Sequence, residues 1–104
     1  MKIALLGYGT MGREIEAIAL ERGHEVPVKV TSENRSEITD QALAQCDAAI
    51  DFSNPDSAVE LIEWSLRNSV PTVSGTTGWL QHWEKIMALR ADVNGAFFYA
   101  SNFS

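Results

Sequence analysis

Two short loops hold five of the chain's seven glycines: Gly7-Tyr8-Gly9-Thr10-Met11-Gly12 and Gly75-Thr76-Thr77-Gly78. The first is a G-x-G-x-x-G that directly follows the apolar run Ile3-Ala4-Leu5-Leu6 and opens a helical pattern. In that setting glycines let backbone N–H groups approach a pyrophosphate, which then rests on a helix N-terminus. The competing reading is a tight strand-to-helix turn with no ligand. The second loop offers small residues, two hydroxyls and free backbone amides, which suit a nicotinamide ribose or a substrate carboxylate. Thr77 can alternatively cap the helix that follows.

An acidic residue about twenty positions past such a glycine motif usually takes the adenosine ribose. That zone here reads Val30-Thr31-Ser32-Glu33-Asn34-Arg35-Ser36, with no acid at the strand end itself. Ser32 and Arg35 can accept a 2′-phosphate, which favours NADP. Glu33 pulls toward NAD, so the choice between the two stays open. A solvated polar loop is the plain alternative for Arg35 and Lys29. Asp51 closes an apolar run and reads as an acid hydrogen-bonded to nearby loop amides, with a catalytic carboxylate as the alternative. His24 and His82 stand on a turn and a helix start without partners at ligand spacing, so no metal site is expected. Cys46 reads as a small buried residue ending a helix. Trp64, Trp79 and Trp83 read as core or interface aromatics rather than a stacking platform.

The elements that must hold these groups alternate strictly. Residues 2–7, 26–30, 48–52, 70–74 and 96–100 read as strands, the second an edge strand or strand start because of Pro27. A first helix is expected over 10–22, buried along Met11, Ile15, Ile18 and Ala19 and ended by Gly23. A short helix fits 39–46. Ser53-Asn54-Pro55 begins another, to about Arg67, burying Val59, Ile62 and Leu66. A last helix spans 80–90, with Trp83, Ile86, Met87 and Arg90 at helical spacing. This is the pattern of an α/β protein with a Rossmann-like doubly wound parallel sheet of about five strands, order 2-1-3-4-5. Every unusual loop then follows the carboxyl end of a strand, and all of them converge on one rim.

At 104 residues the chain is expected to be one domain. Its net charge of −6 argues against nucleic acid, whose binders carry basic faces. The single cysteine suits a reducing cytoplasm, and no stretch is long enough to span a membrane.

Taken together, Gly7 to Gly12, Ile50-Asp51-Phe52-Ser53, Ser74-Gly75-Thr76-Thr77-Gly78 and Ala100-Ser101-Asn102-Phe103-Ser104 resemble the 4-hydroxy-tetrahydrodipicolinate (dihydrodipicolinate) reductase family of bacterial lysine and diaminopimelate biosynthesis. The resemblance implies an NAD(P)H-binding half. Gly7, Tyr8, Gly9, Thr10, Met11 and Gly12 would hold the pyrophosphate. Gly75, Thr76 and Thr77 with Ala100, Ser101, Asn102 and Phe103 would line the nicotinamide end, and Phe52 and Ser53 would sit near its ribose. Such enzymes continue past the Asn-Phe-Ser segment into a substrate and tetramerisation domain with paired histidines and a lysine. Residues 1–104 are accordingly expected to be a cofactor-domain fragment without catalytic residues, able to bind NAD or NADP but not to turn over the small dicarboxylate substrate. The alternatives are a non-enzymatic nucleotide- or coenzyme A-binding module and another NAD(P) dehydrogenase.

Overall fold

The fold is known from a computed structural model that describes residues 1–100. The element order is β1 (Lys2–Leu6), α1 (Thr10–Glu21), β2 (Glu25–Val30), a 3₁₀ turn (Arg35–Glu37), α2 (Asp40–Ala44), β3 (Ala48–Asp51), α3 (Pro55–Arg67), β4 (Thr72–Ser74), a second 3₁₀ turn (Leu80–His82), α4 (Trp83–Asp92) and β5 (Phe97–Tyr99). All five strands are parallel, in the order β2-β1-β3-β4-β5. The expected topology is the observed one, with the reversal of direction between β1 and β3. No helix among the described residues is long and apolar enough to cross a membrane.

Pro27 lies on the edge strand. Its register against β1 slips by one residue, from Lys2 opposite Glu25 to Ala4 opposite Val28. A proline cannot donate to a ladder, and an edge bulge is where a sheet tolerates one.

The two sheet faces are covered unequally. Ala4, Leu6, Val28, Val30 and Ala49 pack against Leu43 of α2 and Leu61 and Trp64 of α3. On the same side Ala58, Ile62 and Leu66 of α3 meet Ile86 and Leu89 of α4 around Trp79. The opposite face, with Ile3 and Leu5, is met by Ile15 and Ala19 of α1. Fully buried leucines such as Leu5 and Leu6 each contribute about 2 kcal/mol by leaving water. Trp79 is fully buried and packs on Trp83, Phe97 and Tyr99 with ring centroids 5.5–5.9 Å away. It is core, as the sequence suggested.

Several side chains depart from the expected faces. In α1 the buried positions are Gly12 and Ala19, whereas Met11 and Ile18 are exposed. Ile15 and Ala19 keep the anticipated face, and at the helix start Gly12 rather than Met11 meets the first loop, where a Cβ would lie 2.6 Å from the carbonyl oxygen of Gly7. Val59 keeps its expected side, packed on the cluster of Ala58, Ile62 and Leu66, but is only half-buried. Trp83 is more than one-third exposed, and Leu89 takes the buried place beside Ile86.

Candidate functional site

The four strand ends are aligned by one repeated hydrogen bond. The first amide beyond each strand donates to the last carbonyl of its neighbour: Gly7 N to Val30 O (3.0 Å), Phe52 N to Leu6 O (3.0 Å), Gly75 N to Asp51 O (2.9 Å) and Ala100 N to Ser74 O (3.1 Å). All four loops therefore leave the sheet from a single rim.

The three glycines of the first loop do three different jobs. Gly7 has φ +105°, and a Cβ there would meet Phe52 O at 2.6 Å, so it makes the turn against the β3 loop. Gly12 allows helix and loop to touch. Gly9 has nothing within 4 Å of a Cβ placed on it, and φ −90°, so neither strain nor packing demands glycine there. Gly9 is also the N-cap of α1. The first helical bond is Arg13 N to Gly9 O, which leaves the amides of Thr10, Met11 and Gly12 without helical acceptors. Among the described residues no side chain caps this end, and its first turn holds no acid. By contrast, Thr39 and Asn54 cap α2 and α3, each followed by an acid, Asp40 or Asp56. An uncapped helix end beneath an open glycine is a cradle for an anion.

Beside this cradle lies a cavity of about 540 Å³, within the range of small-ligand sites. It brings together Gly7, Tyr8 and Gly9 from the first loop, Ser32 and Arg35 from beyond β2, and Phe52 and Ser53 from beyond β3. Val30 and Thr31 line it too, and Asn54, the N-cap of α3, completes the wall with Ser57, Glu60 and Leu61. Sequence reasoning missed these four. A helix-capping Asn with polar residues a turn later is the only local signal, and it does not say which loop the helix start faces.

The cations in and around this cavity are each held by a carboxylate or an aromatic ring. Tyr8 donates its hydroxyl to Glu16, whose other oxygen accepts from Lys29 Nζ at 2.9 Å. The Arg13 guanidinium and the Lys29 ammonium lie 5.4 and 5.5 Å from the Tyr8 ring centroid. The hydrogen bond from Lys29, then that from Tyr8, holds the Glu16 carboxyl below its ordinary range. Lys29 is thus an ion-pair partner rather than a solvated loop residue. Arg35 is not free in water either: its guanidinium stacks 3.6 Å from the Trp64 ring centroid and pairs with Glu60 at 3.1 Å.

The second glycine loop differs from expectation. The Gly75 amide is spent on the sheet, and the Thr76 amide donates to Ser74 Oγ at 3.3 Å. Thr76 is buried, and of the two threonines Thr77 is the exposed one. Thr77 does not cap the next helix, because a 3₁₀ turn whose N-cap is Trp79 comes first. Gly75, Thr76 and Thr77 stand on the rim but outside the cavity lining. Ala100 continues the ladder, while Ser101, Asn102 and Phe103 lie outside the described residues.

Asp51 is fully buried between the β3 and β4 loops. Its Oδ1 accepts from Ser53 N (3.1 Å) and Ser53 Oγ (2.6 Å), and its Oδ2 from Ser74 Oγ (2.7 Å). It is a structural clasp, as anticipated, made with hydroxyls more than with amides. Burial pushes its carboxyl above the ordinary aspartate value, and the bonds from Ser53 and Ser74 offset this in part. A raised native value means the folded chain binds this proton more tightly than the unfolded chain. This contribution is therefore complete below pH about 4 and fades as pH rises through the native value. Asp51→Asn is expected to remove that decline. Urea denaturation at several acidic pH values checks it; an unchanged pH slope in the variant would refute the assignment.

Cys46 is buried just past α2, and burial raises its thiol, which leaves it unsuited to act as a nucleophile. His24 is half-buried with Nδ1 3.0 Å from the chain's amino terminus, and His82 is exposed.

Residues 1–103 match the family described as dihydrodipicolinate reductase, N-terminus. The chain is 42% identical over its whole length to a 4-hydroxy-tetrahydrodipicolinate reductase of Christiangramia forsetii, covering 43% of that protein. It is 34% identical to the reductase of the same name from Staphylococcus saprophyticus, again over the whole chain and 45% of the relative. The chain thus spans less than half the length of these relatives. Among solved structures, a hyperthermophilic archaeal homoserine dehydrogenase in complex with NADPH superimposes on 96% of this chain and 43% of its own, with a TM-score of 0.73 at 17% identity. An NAD-binding protein from Listeria innocua covers 94% of this chain and 34% of its own, with a TM-score of 0.70 at 22% identity. At such identities these two likenesses concern the fold.

Proposed function

The chain belongs to the dihydrodipicolinate reductase N-terminal family, and from that membership we propose that it is the coenzyme-binding half of an NAD(P)H-dependent 4-hydroxy-tetrahydrodipicolinate reductase. The observation that carries the proposal is Gly9: an open, unstrained glycine over the uncapped amides of α1, at the mouth of the cavity. Those amides would take the pyrophosphate. Ser32 and Arg35 would stand at the adenosine ribose. Phe52, Ser53, Gly75, Thr76 and Thr77, with Ala100 to Phe103, would face the nicotinamide half.

Reduced nicotinamide would supply the hydride. This chain's own part is to bind and orient. Asp51 is fully buried and engaged by two serines, so it offers no proton to a substrate at the rim. Substrate contacts and proton donation would come from the further part of a full-length, cytoplasmic homotetrameric enzyme. By itself the chain is expected to bind coenzyme and to reduce nothing.

Calorimetric titration with NADH, NADPH and coenzyme A tests the reading. Saturable binding of a nicotinamide dinucleotide, displaced by ADP, is the expected result. Tight coenzyme A binding with no dinucleotide response would overturn it in favour of a coenzyme A module.

A further inference from the structure

We infer that Glu60 on α3 sets the preference of this cavity between NADH and NADPH by competing with a 2′-phosphate for Arg35. The inference rests on the dinucleotide reading above and adds to it a residue that β2 does not supply.

The Arg35 side chain is clamped from α3. Trp64 lies under the guanidinium, with 3.6 Å from Cζ to the ring centroid. Glu60, one helical turn earlier on the same face of α3, pairs with Nη2 at 3.1 Å. Trp64 is itself buried, and its Nε1 donates to Asp40 Oδ1 at 2.6 Å. The guanidinium plane is therefore fixed by contacts from α3 and, through Trp64, from α2. Arg35 Nε is buried and has no hydrogen-bond partner among the described residues, so the clamp leaves donor capacity unused.

Arg35, Glu60 and Ser32 all line the cavity. Glu33, the acid nearest the end of β2, is exposed and absent from that lining. The acid that such folds place after β2 thus arrives here from across the cavity. A ribose 2′-hydroxyl can donate to Glu60 while the ion pair stays closed. A 2′-phosphate has to displace Glu60 from Arg35 and then sit beside a second anion. Displacement is feasible because the Glu60 side chain is 60% exposed and can turn into water, whereas Arg35 is held by Trp64. Glu60 therefore handicaps NADPH without closing the site to it.

The test is calorimetry on this chain with NADH, NADPH, 5′-AMP and adenosine 2′,5′-bisphosphate, with circular dichroism to confirm folding. Glu60→Gln is expected to tighten NADPH and the bisphosphate about three- to tenfold relative to NADH and AMP. The gain should shrink as salt is raised, which a purely structural effect would not do. In an Arg35→Gln background the same substitution should gain clearly less, because only the repulsion between Glu60 and the phosphate is then left to relieve. An unchanged NADPH-to-NADH ratio in Glu60→Gln overturns the inference alone, as does a gain that persists undiminished without Arg35. Failure of all four ligands to bind the unsubstituted chain overturns the dinucleotide reading and this inference together.

Discussion

Gly9→Asp is expected to stabilise the fold by a few tenths of a kcal/mol while lowering dinucleotide affinity by about a hundredfold or more. The backbone at Gly9 is already extended, with φ −90° and ψ −150°, and a Cβ there meets nothing within 4 Å. Aspartate is among the best N-cap residues. Its carboxylate would accept from amides of the first turn of α1 and favour the positive end of the helix dipole. Those amides are the ones proposed above for the pyrophosphate. A carboxylate about 4 Å from a phosphate charge costs roughly 4 kcal/mol per charge pair near a protein surface, enough for the predicted loss. Urea denaturation and calorimetry on one preparation report both effects. Retained affinity would mean that the pyrophosphate rests elsewhere.

Gly7→Ala is expected to act in the opposite way, through the fold. Gly7 has φ +105°, and a Cβ would stand 2.6 Å from Phe52 O, 2.8 Å from Phe52 C and 2.9 Å from Ser53 Cα. All three atoms are backbone, held by the Phe52 N to Leu6 O bond and by the Ser53 bonds to Asp51. Nothing flexible is available to give way. The left-handed conformation costs about 1 kcal/mol and the overpacking about 1–3 kcal/mol more. The sum, roughly 2–4 kcal/mol, is a large part of the roughly 5–15 kcal/mol that holds a typical domain. A markedly lower urea midpoint is expected, with loss of dinucleotide binding following from it. A midpoint within experimental error of the parent chain would show that the β1 and β3 loops are not in the contact described.

The pair of substitutions separates two uses of one motif. Gly7 and Gly12 are glycines because the β1 loop, α1 and the β3 loop approach too closely for a side chain. At Gly9 the packing imposes no such requirement, and the missing Cβ is the one proposed to make room for a pyrophosphate. The spacing in the sequence signals all three glycines equally, and only the contacts distinguish them.

Much of the architecture was legible in the chain. Runs such as Ile3-Ala4-Leu5-Leu6, punctuated by Gly7 and by Asn54-Pro55, encode strand ends and helix starts through local sterics and capping, which depend on neighbours a few residues away. Alternation of strands and helices then determined a parallel sheet and one rim for the loops, because crossovers are right-handed and short. Tertiary structure alone decided how side chains far apart in sequence meet. In α1 the close contact falls at Gly12, and Met11 and Ile18 lie in water. The β4 loop folded inward and buried Thr76, leaving Thr77 outside. Most consequentially, α3 brought Glu60 and Trp64 to Arg35, while Glu33 turned away from the cavity. Such pairings depend on helix rotation and on loop path, which a hydrophobic period of three or four residues does not specify.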